Sequence, residues 1–189
     1  MPTSFQFSHW SRGTDAAIIA LMRKTSTVVL CLLFIALSAF AQDTKKPLSP
    51  PAKAEATLSG KKVTIDYSAP SKRGRVIMGE LVPYGQVWRT GANAATTLTT
   101  EADLMIGSLH VPKGKYTLYS LPGEKEWTLI VNKQTGQWGT NYDAAQDLGR
   151  VKMTVAPVKD TVETFVIGID RNLTLTWENT RASVPVMVH

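Results

Sequence analysis

Lys62-Val63-Thr64-Ile65-Asp66-Tyr67 alternates polar and apolar side chains residue by residue. In extended backbone successive side chains point to opposite faces, so this spacing predicts a strand with Val63, Ile65 and Tyr67 turned inward. The same period recurs along the chain. Trp127, Leu129 and Val131 alternate with Glu126, Thr128 and Asn132; Val151, Met153 and Val155 with Lys152 and Thr154; Leu173, Leu175 and Trp177 with Thr174, Thr176 and Glu178. Residues 96–100, 104–106, 116–121, 161–169 and 183–188 add the β-branched and aromatic content that strands favour.

Turn chemistry separates these runs at Ser68-Ala69-Pro70-Ser71, Pro112-Lys113-Gly114, Pro122-Gly123-Glu124-Lys125 and Lys133-Gln134-Thr135-Gly136. No helical period persists for three turns; the best helical segment, Tyr142 to Leu148, would be one or two turns ending at Gly149 as a C-cap. Many short strands without crossover helices predict an all-β fold, an antiparallel β-sandwich of short strands. The Pro112-Lys113-Gly114 turn feeding the aromatic run from Tyr116 fits a sandwich edge, and Glu126 to Asn132 is expected to pair with that run across the Pro122 turn.

Upstream of the strands the pattern changes. Arg23-Lys24 precedes an uncharged run from Thr25 that ends in Ala39-Phe40-Ala41, which predicts a signal peptide over residues 1–41 with cleavage before Gln42. The run is short for a membrane-spanning helix, which needs about 20 apolar residues. Either Met1 or Met22 can serve as the start, and residues 1–21 are left out of the fold in both cases. Gln42 to Glu55 carries three prolines and few large apolar side chains, so residues 42–55 are expected to form a flexible linker and 56–189 a single sandwich domain. The expected location is secreted or periplasmic.

The sole cysteine, Cys31, lies inside the expected signal, so the mature chain would have no thiol for a disulfide, a nucleophile or a metal. Without residues 1–41 the charge is 18 basic against 14 acidic groups, a mild excess without a Lys/Arg block. That spread does not suit nucleic acid. No P-loop, dinucleotide fingerprint or His-Glu-x-x-His string occurs, and no cofactor or metal is expected.

One stretch is built to present polar groups beside an apolar floor: Leu81-Val82-Pro83-Tyr84-Gly85-Gln86-Val87-Trp88-Arg89-Thr90-Gly91-Ala92-Asn93. Arg89 can clamp a carboxylate or sulfate through its planar fork, with Thr90 and Asn93 orienting the ligand and Trp88 or Tyr84 as a stacking platform. The competing reading makes Trp88 core, pairs Arg89 with a carboxylate such as Asp66 or Glu101, and uses Asn93 to tie a glycine-rich turn. The basic loop Lys72-Arg73-Gly74-Arg75 is either a solvated turn or an anion-binding element, and proximity to Arg89 would decide. The ligand-binding candidates are therefore Arg75, Tyr84, Trp88, Arg89, Thr90 and Asn93, facing a small anionic or carbohydrate ligand or another envelope protein.

These same residues carry a family likeness. Gly74-Arg75, Gly79, Leu81 to Gly85, Val87 to Asn93, Ala95-Thr96-Thr97, Pro112 to Leu118, Pro122-Gly123-Glu124, Glu126-Trp127, Gln137-Trp138-Gly139 and Arg150-Val151 resemble the exported bacterial family called domain of unknown function 2911. The resemblance covers about residues 61–177. It implies a secreted or periplasmic domain with no catalytic residues to carry over. Met78 and Ala94 depart from the family pattern, standing where an aromatic and an acidic residue are more usual.

Other constellations are weaker. Trp127 and Trp177 fall on the apolar phase of strands and read as core, whereas Trp138 is free either to stack on a sugar or to pack. A Ser-His-Asp set around His110 with Ser108 or Ser120 lacks a nucleophile elbow. A small carboxylate-dependent glycoside hydrolase would need a facing pair, drawn from Asp143 and Asp147 or from Glu124 and Glu126. A binding or interaction module fits the residues better than an enzyme.

Overall fold

A computed structural model describes residues 47–189. The signal segment expected over residues 1–41 and its cleavage point lie outside the described residues. Nine strands follow in chain order: β1 Pro51–Leu58, β2 Lys61–Ser68, β3 Thr97–Thr100, β4 Leu104–Ile106, β5 Leu109–Val111, β6 Gly114–Leu121, β7 Glu126–Asn132, β8 Asp147–Ile169 and β9 Asn172–Val188. They form an antiparallel sheet of order β1-β2-β3-β6-β7-β8-β9-β4-β5, so the all-β antiparallel architecture read from the alternation is the one the chain adopts.

The two layers arise because this sheet folds back on itself. β8 pairs along its first half with β7 and along its second half returns to the end of β2. There Ser71 bridges Thr164, the Phe165 N–H donates to the Pro70 carbonyl at 2.8 Å and the Lys72 N–H to the Glu163 carbonyl at 2.7 Å. The bend that permits this lies where the β8–β9 register slips between Pro157 and Val162, opposite Glu178, which adopts a left-handed φ of 52°.

The inward phases meet between the layers. Val63, Ile65, Leu98, Leu118, Leu129, Met153, Leu173 and Leu175 are buried in a continuous core with Trp127, Phe165 and Trp177. Tyr67 of β2 meets Phe165 of β8 edge to face at 5.8 Å, and its hydroxyl accepts the Ile167 N–H at 3.1 Å. On the other face of β6 and β7, Tyr119 and Ile130 are cross-strand partners and are also buried. The Tyr119 ring packs against Tyr142 at 4.8 Å and its hydroxyl donates to the Asn141 carbonyl, so the 133–146 connection covers this patch.

Three expectations change. The linker ends earlier than Glu55: strand starts at Pro51, five residues before Ala56. β1 has mostly small and charged side chains and is held by its backbone ladder to β2 and by ion pairs Lys53–Asp66 (3.3 Å) and Glu55–Lys62 (3.0 Å), none of which shows in its own apolar content. Proline and lysine are also what an exposed edge tolerates. The strands are not all short, since β8 runs 23 residues and β9 17; the polar, proline-containing stretch near 157–161 is a bulge rather than a chain reversal. The helical segment expected over Tyr142 to Leu148 is a single 3-10 turn, Ala144–Gln146, capped by Asp143, and Gly149 belongs to β8.

Tyr67→Phe leaves the buried Ile167 N–H without a partner while preserving the ring. It is expected to lower stability by about 1–3 kcal/mol and to speed amide exchange at Ile167 before that of β6 and β7, as read by chemical denaturation and hydrogen exchange.

Candidate functional site

The segment between β2 and β3 carries the site, and its two halves are fixed in different ways. The basic loop after Ser71 is tied to β8: the Arg73 N–H donates to Glu163 Oε1 at 2.8 Å, and the Arg75 side chain donates to the Lys72 and Ser71 carbonyls at 2.9 and 2.7 Å. Lys72 Nζ pairs with Glu178 Oε1 at 3.0 Å, and Glu178 Oε2 accepts the Ile77 and Met78 N–H groups, each at 3.3 Å. Ile77 and Val82 are buried beneath the loop. Burial pushes the Glu178 carboxyl up, but its bonds to Lys72, Met78 and Ile77 more than offset this and hold it below the ordinary glutamate range.

The second half, from Trp88 to Asn93, is pinned to β6 and to the end of β2. Trp88 and Ser120 exchange backbone bonds at 2.7 and 2.9 Å, and the Ala92 N–H donates to the Ser68 carbonyl at 3.2 Å. Thr90 is fully buried: its hydroxyl donates to Ser120 Oγ at 3.0 Å and its carbonyl accepts Thr96 Oγ1 at 2.8 Å. The Trp88 ring stacks on Trp177 at 5.9 Å and 18° and meets Phe165 edge to face at 5.0 Å.

Between these halves opens a cavity of about 460 Å³. Arg73, Arg75 and Arg89 all line it; Trp88, Trp177, Tyr119 and Tyr142 give it aromatic walls, and Gly139 also lines it. Leu48 and Ser49 contribute a wall, held because the Arg73 guanidinium donates to the Leu48 carbonyl and Asn93 Nδ2 to that of Ser49. No carboxylate lines it among the described residues.

Arg89 is half-buried, and among the described residues it has no carboxylate within ion-pair distance and no side-chain hydrogen bond. The partners that a structural role would give it are occupied elsewhere: Asp66 faces Lys53, and Glu101 accepts the Lys62 N–H. Of the six candidates read from the sequence, Arg75, Trp88 and Arg89 line the cavity, whereas Tyr84, Thr90 and Asn93 do not. Tyr84 stands outside over Gly79, Thr90 is sealed beneath, and Asn93 acts through Ser49.

Trp138 is exposed at 53%, on the surface rather than in the core. The acidic pairs lie off the cavity: Asp143 caps the 3-10 turn, Asp147 binds Arg150, Tyr142 and Asn132, and Glu126 pairs with Lys152. Burial and then the bond to Asp147 raise the Tyr142 hydroxyl above its ordinary value; that hydroxyl donates to Asp147 Oδ2 at 2.7 Å and accepts from Arg150 at 2.8 Å, so its polar end is already engaged.

Sequence reasoning missed Tyr119, Tyr142, Gly139 and Trp177 as wall residues, because they arrive from distant elements through the folded sheet. Gly139 had a faint signal in the Gln137-Trp138-Gly139 string. A Cβ there would stand 2.7 Å from both Arg89 Cδ and the Asn93 carbonyl oxygen, so the glycine leaves the space in which the Arg89 side chain runs.

Fold and cavity together define an all-β antiparallel domain with a cationic, aromatic-walled cleft. The chain belongs to the family described as "Protein of unknown function (DUF2911)", whose model matches residues 49–186. No curated protein and no solved structure matches the chain.

Gly139→Ala is expected to displace Arg89 and Asn93 while the β-sheet signature in circular dichroism is retained, with new nuclear magnetic resonance shifts confined to residues around 89–93 and 139. A second expectation concerns pH. Glu178 ionises more readily folded than unfolded, so its stabilisation is present above the ordinary glutamate pKa and is lost as pH falls through the lower folded value. Glu178→Gln should therefore cost about 2 kcal/mol at neutral pH, shrinking below about pH 4.3, in paired denaturant titrations.

Proposed function

We propose that the protein is an exported ligand-binding module whose ligand is a small anion, held in the cavity by Arg73, Arg75 and Arg89. The observation that carries this reading is Arg89 itself: a half-buried guanidinium, without a protein acceptor among the described residues, in a cavity that also receives two more arginines. A cation withdrawn from water needs a compensating acceptor. The guanidinium fork suits the paired oxygens of a carboxylate, sulfate or phosphate, and the aromatic walls exclude water. A volume of about 460 Å³ suits a metabolite-sized ligand.

Export to the periplasm or the cell exterior is part of the proposal and rests on the Arg23-Lys24 start, the apolar run and Ala39-Phe40-Ala41. No helix among the described residues is long and apolar enough to cross a membrane. A glycoside hydrolase finds less support, because Glu124, Glu126, Asp143 and Asp147 all lie away from the cavity lining.

The test compares the native protein with Arg89→Ala in a thermal-shift series of phosphate, sulfate, glucuronate and neutral glucose. A ligand at a hundred times its Kd stabilises the native state by about 2.7 kcal/mol. Glucuronate or an inorganic anion should raise the melting temperature and glucose should not. Arg89→Ala should keep the fold and weaken binding about tenfold to a hundredfold, the scale of a charge-assisted bond. If the variant unfolds, or responds to anions like the parent, the proposal fails.

A further inference from the structure

The loop that frames the cavity also exposes an unusual amount of apolar surface. Val76, Leu81, Tyr84 and Val87 are all exposed, although they fall within a single twelve-residue stretch that closes over two buried side chains, Ile77 and Val82. The loop does not need those four to fold. It is already pinned by Ile77 and Val82 below and by the Glu178 carboxylate on its backbone, and its Leu81 N–H donates to the Val76 carbonyl at 3.4 Å. Clustered exposed apolar side chains on a fixed loop mark a contact surface rather than a random one. Leu81 and Val87 moreover line the same cavity as the three arginines, so the cationic and apolar surfaces are continuous.

We propose that the ligand is amphiphilic: a single-chain anion whose head meets Arg73, Arg75 and Arg89 and whose apolar chain lies along Leu81 and Val87. This rests on the anion-binding reading above and adds the second half of the ligand. A small hydrophilic anion would leave that apolar wall wet, and a neutral amphiphile would leave the Arg89 guanidinium without an acceptor. A fatty-acid-like carboxylate and an alkyl phosphate share the required chemistry, as does an anionic lipid head in a bilayer; the chain's access to the cavity distinguishes a free molecule from a membrane surface.

The experiment is isothermal titration of the full mature chain with acetate, butyrate, hexanoate, octanoate and octyl phosphate at constant ionic strength, below micelle formation. Octyl glucoside serves as the neutral control, and co-sedimentation with phosphatidylglycerol vesicles as the bilayer arm. Affinity is expected to rise roughly fourfold per methylene buried, until the apolar wall is covered. Leu81→Ser with Val87→Ser, both at exposed positions, should flatten that dependence, octanoate falling toward acetate, and Arg89→Ala should weaken every anionic member. Binding of acetate and octanoate with equal affinity overturns the amphiphile and leaves the anion reading standing. Octyl glucoside binding as tightly as octanoate, or vesicle binding with no uptake of monomeric octanoate or octyl phosphate, also overturns it. Absence of binding by any anion overturns both.

Discussion

The seam between residues 70–72 and Glu163–Phe165 is the constraint on which this molecule depends. It joins the end of β2 to the far half of β8, and so converts a linear antiparallel sheet into two facing layers. Two backbone hydrogen bonds and the Ser71–Thr164 hydroxyl contact would be a weak clasp alone. They hold because Phe165 fills the space between Tyr67, Trp88 and Trp177, so closing the seam and completing the aromatic core are the same event. The loop carrying Arg73 and Arg75 issues directly from the seam. Its position beside Arg89 is therefore a product of sheet folding and not of local sequence.

Electrostatics supports the proposal that this arrangement is a site and not merely a junction. Lys72 is satisfied by Glu178, and the Arg75 and Arg73 side chains donate to backbone carbonyls, which orient a guanidinium but leave its charge uncompensated. Carbonyl acceptors fix geometry; carboxylates would neutralise. The chain has acidic groups close by in Glu163 and Glu178, yet it spends both on backbone N–H groups and Lys72. Arg73 and Arg75 are exposed and screened by water, whereas Arg89 is half-buried, so an anion would have most to offer at Arg89.

The alternation along β2, β7, the first part of β8 and β9 made the strand content legible, because a half-buried face imprints its period directly on the sequence. What stayed illegible was everything set by pairing between distant segments. β1 looked like a tether because an edge strand held by its ladder need not be apolar. The bulge in β8 looked like the gap between two strands, because proline and polar residues mark both. At the site, Trp88 and Arg89 stood out by residue type, whereas Tyr119, Tyr142 and Gly139 are ordinary in sequence and become wall residues only after the 133–146 connection is laid over β6. Thr90 and Asn93 were read as ligand-facing from their polarity. Thr90 turns out to serve the backbone beside Arg89 and Asn93 to hold the Ser49 carbonyl, which polarity alone cannot distinguish from ligand contact.

That backbone is strained where the site is built. Among the described residues five non-glycine residues adopt positive φ; Ser59 belongs to the β1–β2 turn, and the other four, Arg73, Thr90, Asn93 and Glu178, flank the cavity or anchor its loop. Asparagine tolerates this region, but a β-branched threonine at φ 54° does not adopt it without compensation. Thr90 receives that compensation from Ser120 and Thr96, which bond its hydroxyl and carbonyl inside the protein. The strain and its relief both act on the residue next to Arg89, so the backbone from which that side chain departs is fixed from below by buried hydrogen bonds. Outliers of this kind persist only where the surroundings over-determine them, and they cluster where geometry matters to function. Under the proposed anion binding, the fixed backbone at Thr90 and the channel left by Gly139 would reduce the freedom that the Arg89 side chain loses when its ligand arrives.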